Sequence, residues 1–214
     1  MLLVCDTEVD PAAYGYLPRA LRSHLPDHDR YHYPTRDDEP SLDGVDAVVV
    51  TGSTAGVYEA DDRPWIAGAR GFVRRLVAEE IPTLGVCFGH QLVNDALGGR
   101  VEHRGLTAEF VEVDFADSPL FEGVDSTVPM VHGDHVVRAG DGMEPIAVAD
   151  YYPLLATRHV DAPLWTVQYH PEFTVDLLPA IERDFGWQGS REFDDVTTVW
   201  TVGNFLRLAG VDEG

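Results

Sequence analysis

Through the first hundred residues, short apolar β-branched runs alternate with longer amphipathic stretches. Leu2–Cys5 predicts a first strand. A helix over Ala12–Leu25 follows, opened near Pro11 and closed by Pro26. Arg30–Tyr33 is a short strand, and Val45-Asp46-Ala47-Val48-Val49-Val50 a buried one, ending in the turn-rich Thr51-Gly52-Ser53-Thr54-Ala55-Gly56. Pro64–Glu80 reads as a helix with proline at its start. Thr83–Cys87 is a further strand, and His90–Leu97 a helix stopped by Gly98-Gly99. This alternation predicts an α/β fold with a mostly parallel central sheet flanked by helices.

From Arg100 to Thr157 the pattern changes. Phe110–Val113, Val128–Val131, Val136–Arg138, Pro145–Ala149 and Leu154–Thr157 are short apolar runs split by Gly, Pro and Asp, which predicts an antiparallel or mixed strand section. Leu164–Tyr169 returns to the main sheet, and Val175–Arg183 and Asp194–Leu208 are closing helices. No shift of composition marks a linker, so residues 1–214 are expected to form a single domain.

Charge changes this picture most. Fifteen cations stand against 37 carboxylates, for a net charge of −22, and every cation is arginine. Such self-repulsion destabilises a compact chain at low salt. Concentrated salt screens it within about 3 Å at 1 M, so the composition points to a halophilic host. It also argues against a nucleic-acid partner, which needs a basic face. No apolar run approaches the length of a membrane span, and the N-terminus lacks the features of a signal peptide. Two cysteines, Cys5 and Cys87, make no disulfide framework. A cytoplasmic location and no membrane association are expected. Cys5, in the first strand, reads as core.

The candidate chemistry centres on Cys87. It lies between two glycines in Gly85-Val86-Cys87-Phe88-Gly89, straight after a strand and straight before a helix. That is the geometry of a nucleophile elbow. The glycines allow a strained turn, and the helix N-terminus favours the reactive thiolate. Further along, the strand ending at Tyr169 runs into His170-Pro171-Glu172. A histidine at a strand end can act as base, and Glu172 can orient its ring. Cys87, His170 and Glu172 therefore make a candidate catalytic triad for acyl transfer. The N–H of Phe88 is one expected oxyanion donor. Gly52, in a loop at the carboxyl end of another strand, is the candidate second, since ligand sites gather at that end of a parallel sheet.

Gly85-Val86-Cys87-Phe88-Gly89-His90-Gln91 and Tyr169-His170-Pro171-Glu172 resemble the two signatures of the class I (triad) glutamine amidotransferases, and the resemblance extends over roughly residues 45 to 173. It implies a flavodoxin-like three-layer sandwich. The implied reaction is hydrolysis of the glutamine side-chain amide through a cysteinyl γ-glutamyl thioester, giving glutamate and ammonia. By the same resemblance Gln91 lines the glutamine pocket. Val131-His132-Gly133-Asp134 is similar to the segment that, in the GMP synthetase branch, binds the α-amino and carboxylate groups, largely through backbone. The usual Gly-Gly-Pro of the oxyanion loop is Thr51-Gly52-Ser53 here. Ser53–Glu59, with Val57-Tyr58-Glu59, looks like a subgroup of stand-alone relatives near GMP synthetase. The chain has no room for an ATP-dependent synthetase domain and shows no Gly-rich phosphate loop, so the resemblance implies a separate synthetase subunit such as that of GMP synthetase, in purine biosynthesis. No cofactor is expected.

The alternative is a γ-glutamyl peptide hydrolase using the same triad without delivering ammonia. A non-catalytic binding protein would be expected to lose Cys or His. His132, Asp134 and His135 lack the further ligands of a metal site, so no metal is expected. His24, His28 and His32 are separated by Pro26 and read as surface residues.

Overall fold

The computed structural model describes residues 1–188 and 196–211. Its main sheet has eight strands in the order β2-β1-β3-β4-β10-β9-β8-β6. These are β1 (Leu2–Asp6), β2 (His28–His32), β3 (Ala47–Val50), β4 (Thr83–Val86), β6 (Asp114–Phe115), β8 (Met143–Ala149), β9 (Tyr152–His159) and β10 (Leu164–Val167). From β2 to β10 the pairing is parallel, and β9, β8 and β6 extend the sheet in antiparallel pairing. A separate ribbon pairs β5 (Arg100–Glu112) with β7 (Thr127–Arg138).

The two-residue period of a strand splits the sheet's side chains between two cores. Leu2, Val4, Ala47, Val49, Leu84 and Val86 point to one face, packed beneath α1 (Tyr16–Ser23) and α5 (Trp200–Leu208). Leu3, Cys5, Val48 and Val50 point to the other, beneath α2 (Trp65–Ala78) and α3 (Phe88–Ala96). The described part of the chain is thus an α/β sandwich with a mixed sheet. Cys5 is fully buried, and that burial, with Asp6 beside it, raises its thiol far above the ordinary range, which keeps it inert.

Several boundaries move. The first helix covers Tyr16–Ser23 rather than Ala12–Leu25, because Asp10 folds the preceding segment into a turn: its carbonyl accepts from Ala13 and Tyr14 N–H, and its side chain from Ala13 N–H. The helix after the elbow begins at Phe88, and Cys87 is its cap. Val128–Val131 and Val136–Arg138 belong to one strand, β7. Its partner β5 begins at Arg100, well before the expected Phe110. Gly133 and Asp134 read as a break in the sequence but lie inside the ladder, opposite a bulge of β5 between His103 and Thr107. A 3-10 turn over Val175–Leu177 precedes α4 (Leu178–Phe185) where one helix over Val175–Arg183 was expected. The closing helix starts at Trp200, and residues 194 and 195 of the expected one lie outside the described residues. His28 and His32 lie half-buried on β2, and the His32 ring bonds the Glu8 carbonyl.

Among the described residues no helix is long and apolar enough to cross a membrane. Most of the ion pairs tie an arginine to an acid at a solvated edge, as in Arg63–Glu59, Arg75–Glu79 and Arg158–Glu144. Pairs of this kind stabilise by at most about 1 kcal/mol each, which is little against a surplus of 22 negative charges. We predict that the melting temperature rises as potassium chloride is taken from millimolar to about 1 M, where charges are screened within about 3 Å. A melt indifferent to salt would contradict the view that self-repulsion dominates.

Candidate active site

Three neighbouring strands deliver the candidate groups to one end of the sheet. β3, β4 and β10 lie side by side and parallel, and Gly52, Cys87 and His170 follow their carboxyl ends. Strand neighbours are only about 5 Å apart, so residues distant in sequence meet there.

Cys87 adopts φ 52°, ψ −106°, a left-handed conformation rare for a residue with a side chain. Holding it costs about 1–3 kcal/mol. Gly85 and Gly89 make the turn possible: a methyl group on Gly89 would lie 2.4 Å from the Val50 carbonyl oxygen, and one on Gly85 would lie 2.7 Å from that of Gly89. The turn presents Cys87 Sγ to a cavity of about 350 Å³ at the N-terminus of α3. The first N–H groups of a helix have no partner within it, and among the described residues the Phe88 N–H has no acceptor outside it.

His170 is buried, its Nδ1 2.8 Å from Glu172 Oε1. Its ring stacks on Phe173 at 4.3 Å and 18°. Nε2 faces the Val131 carbonyl oxygen at 3.1 Å, and Cys87 Sγ lies 3.8 Å from the same oxygen. Burial opposes protonation of this imidazole, but the Glu172 carboxylate and Cys87 more than offset it, and the ring titrates well above its ordinary value. Glu172 is itself buried, and among the described residues its second oxygen has no hydrogen-bond partner. Its charge is therefore directed at the imidazole.

Gly52 lies against this pair. A methyl group on it would sit 3.4 Å from Cys87 Cβ and 3.6 Å from His170 Cε1. Its carbonyl points away, accepting from the Thr7 and Thr51 hydroxyls at 3.1 Å each. A trans peptide sets N–H opposite C=O, so the Ser53 N–H faces away from Thr7 and Thr51. Among the described residues neither the Gly52 nor the Ser53 N–H has an acceptor.

The remaining candidates line the same cavity. Gln91 donates to the Asp134 carbonyl at 3.3 Å and to Gln168 Oε1 at 3.2 Å, which spends both its hydrogens and leaves its own oxygen as acceptor. Val131, His132 and Gly133 border the cavity from β7, anchored by the His170 N–H on the Pro129 carbonyl at 3.0 Å. Burial holds the His132 ring neutral, lowered to about 3. His132 bonds the Asp134 carbonyl and the Tyr151 hydroxyl, His135 stacks on Tyr152, and the Asp134 carboxylate takes His103 and Tyr58. Among the described residues no group of three or more ligating side chains is placed to hold a metal ion.

Sequence reasoning missed Thr7, Glu8, Tyr152 and Gln168, which support these groups from behind. The one signal for the first two was their position: polar residues directly after β1, at the carboxyl end of a parallel strand.

Known proteins resemble most of this chain. A family model described as glutamine amidotransferase class-I matches residues 17–188. A glutamine-hydrolyzing GMP synthase of Thermotoga sp. (strain RQ2) is 36% identical over 143 residues, which are 64% of this chain and 26% of that protein. One subunit of the glutamine-hydrolyzing GMP synthase of Halobacterium salinarum is 38% identical over 107 residues, 48% of this chain and 58% of that one. The chain therefore matches only about a quarter of the length of the Thermotoga relative. A crystal structure of a glutamine amidotransferase from Thermotoga maritima superposes with a TM-score of 0.70 at 18% identity, covering 98% of this chain and 93% of the other, a likeness of fold.

Proposed function

The chain belongs to the class I glutamine amidotransferase family, and from that premise we propose that it hydrolyses the side-chain amide of glutamine to glutamate and ammonia. One observation carries the reading: a strained elbow cysteine beside a buried imidazole whose far nitrogen is held by a buried carboxylate.

Each group then has a step. Cys87 Sγ gives its proton to His170 Nε2, and Glu172 stabilises the resulting imidazolium through Nδ1–H. The thiolate attacks the amide carbon of glutamine. The carbonyl oxygen becomes an oxyanion, which the Phe88 N–H and the free N–H groups of the Gly52–Ser53 loop stabilise. His170 Nε2–H protonates the departing nitrogen, the C–N bond breaks, and ammonia leaves a γ-glutamyl thioester on Cys87. Water, its proton taken by His170, attacks the thioester; the C–S bond breaks and glutamate is released. Gln91 Oε1, left as acceptor once both amide hydrogens are given away, is suited to accept from an ammonium. The Val131–Gly133 backbone borders the same cavity, where the substrate's α-amino and carboxylate groups would lie. The cavity is within the usual size for a small ligand.

The relatives named GMP synthase support GMP synthesis as the use of the ammonia. The Halobacterium salinarum relative is one subunit of its enzyme, which supports a separate ATP-dependent synthetase subunit as the acceptor. The test is ammonia release from glutamine beside a panel of γ-glutamyl peptides, with and without a candidate synthetase. Glutamine is expected to be preferred, and the partner to raise turnover. Faster cleavage of γ-glutamyl peptides, indifferent to the partner, would overturn the reading in favour of a peptide hydrolase.

A further inference from the structure

Glu8 is a carboxylate that the chemistry above does not use, yet it is 1% exposed and contacts no cation among the described residues. Burying a charge without a counter-charge costs stability unless hydrogen bonds replace the lost water. Here two of the bonds go to a neighbouring loop and one to its own segment. Oε2 accepts the Thr54 N–H at 3.0 Å, and Oε1 accepts the Thr54 hydroxyl at 2.8 Å and the Asp10 N–H at 2.7 Å. Its own N–H is held by Asp6 Oδ1 at 3.1 Å, and Asp6 is fixed by Arg30 at 2.7 Å. The preceding residue, Thr7, grips the same loop: its N–H donates to Thr51 Oγ1 at 3.1 Å and its hydroxyl to the Thr51 and Gly52 carbonyls at 3.0 and 3.1 Å.

We propose that Glu8, with Thr7, is a positioning residue that clamps the Thr51–Thr54 loop at both ends, so that the free N–H groups of Gly52 and Ser53 stay aimed into the cavity beside Cys87. The proposal rests on the glutamine reading for its catalytic consequence, but the clamp itself does not. Thr7 holds one end by its carbonyls, Glu8 holds the other by a backbone N–H, and the two unpartnered donors lie between. A glutamine at position 8 fills the same volume. It can present only one oxygen, and sets an NH₂ against either the Thr54 N–H or the Asp10 N–H and Thr54 hydroxyl.

The experiment compares wild type, Glu8→Gln, Glu8→Asp and Thr7→Val in the full chain, with the synthetase subunit present for turnover. Three readouts are taken: kcat and KM for glutamine, the rate of Cys87 alkylation by iodoacetamide, and hydrogen exchange of the segment over residues 51–55. Alkylation forms no oxyanion, so it reports the cysteine–histidine pair alone. For Glu8→Gln the expected result is a kcat lower by about 10²-fold, the scale of a lost oxyanion donor. KM and alkylation should stay near wild type and loop exchange should quicken. Glu8→Asp should recover part of kcat, and Thr7→Val should fall in the same direction as Glu8→Gln. Unchanged kcat with unchanged exchange overturns the proposal, and so does a parallel loss of kcat, alkylation and thermal stability. A wild type that releases no ammonia, but whose loop exchange still answers to Glu8, sinks the glutamine reading and leaves the clamp standing.

Discussion

Replacing Cys87 with alanine is expected to lower glutamine hydrolysis by about 10⁴- to 10⁶-fold while leaving the fold intact. The rate effect follows from chemistry: without sulfur no thioester forms, and water alone must attack the amide. A factor of 10⁴ to 10⁶ corresponds to roughly 5–8 kcal/mol of transition-state stabilisation. The retained fold follows from the site. Cys87 is buried at the rim of a cavity, and alanine keeps its backbone and Cβ. The left-handed turn is imposed by β4, α3 and the flanking glycines, not by the sulfur. Ammonia release and a thermal melt, measured on the same preparation, check both halves. Turnover within ten-fold of wild type would remove Cys87 from its role.

His170→Ala is expected to cost a similar factor, and Glu172→Gln about 10²- to 10⁴-fold. The second variant is the more telling, because glutamine can still accept from Nδ1–H but carries no charge. Burial disfavours the imidazolium, and what holds its titration well above 6.5 is first the Glu172 carboxylate and then Cys87. Removing the Glu172 charge must lower that value. The basic limb of the kcat/KM profile, where His170 loses the proton it donates to the leaving nitrogen, should then move to lower pH. The same shift has a stability consequence. A base whose folded pKa lies above its unfolded value adds stability fully present below the unfolded value, near 6.5, and lost as pH rises through the folded one. The melting-temperature gap between wild type and Glu172→Gln should accordingly narrow as pH climbs above 6.5. A basic limb unmoved in Glu172→Gln would mean that another group supplies the proton.

The candidate triad was legible because its signals are local. Glycines on both sides of Cys87 mark an elbow, and a His two residues before a Glu at a strand end marks an oriented base. The parallel half of the sheet was legible for the same reason, since strand and helix periods alternate cleanly through β4. The second half misled where tertiary contact overrides composition. Gly133 and Asp134 read as a break in β7, yet Gly133 faces the bulge of β5, where a methyl group would lie 2.9 Å from the His103 ring. Glycine there permits close approach within a strand instead of ending it. Arg100–His103 carries too little apolar alternation to read as a strand, and it pairs because β7 offers it a ladder. Glu8 and Gln168 were silent for a different reason. A buried acceptor is defined by what donates to it, and the donors that fix these two in the fold lie far away in sequence, at Thr54 for Glu8 (beside the local Asp10 N–H) and at Gln91 and Tyr152 for Gln168.

The most direct test is active-site titration with a glutamine analogue that carries a diazoketone in place of the amide, followed by peptide mapping. The account predicts one label per chain, carried by Cys87, with labelling slowed by excess glutamine and lost in Cys87→Ala. A label on any other residue, or labelling of Cys87 that glutamine does not slow, would contradict it.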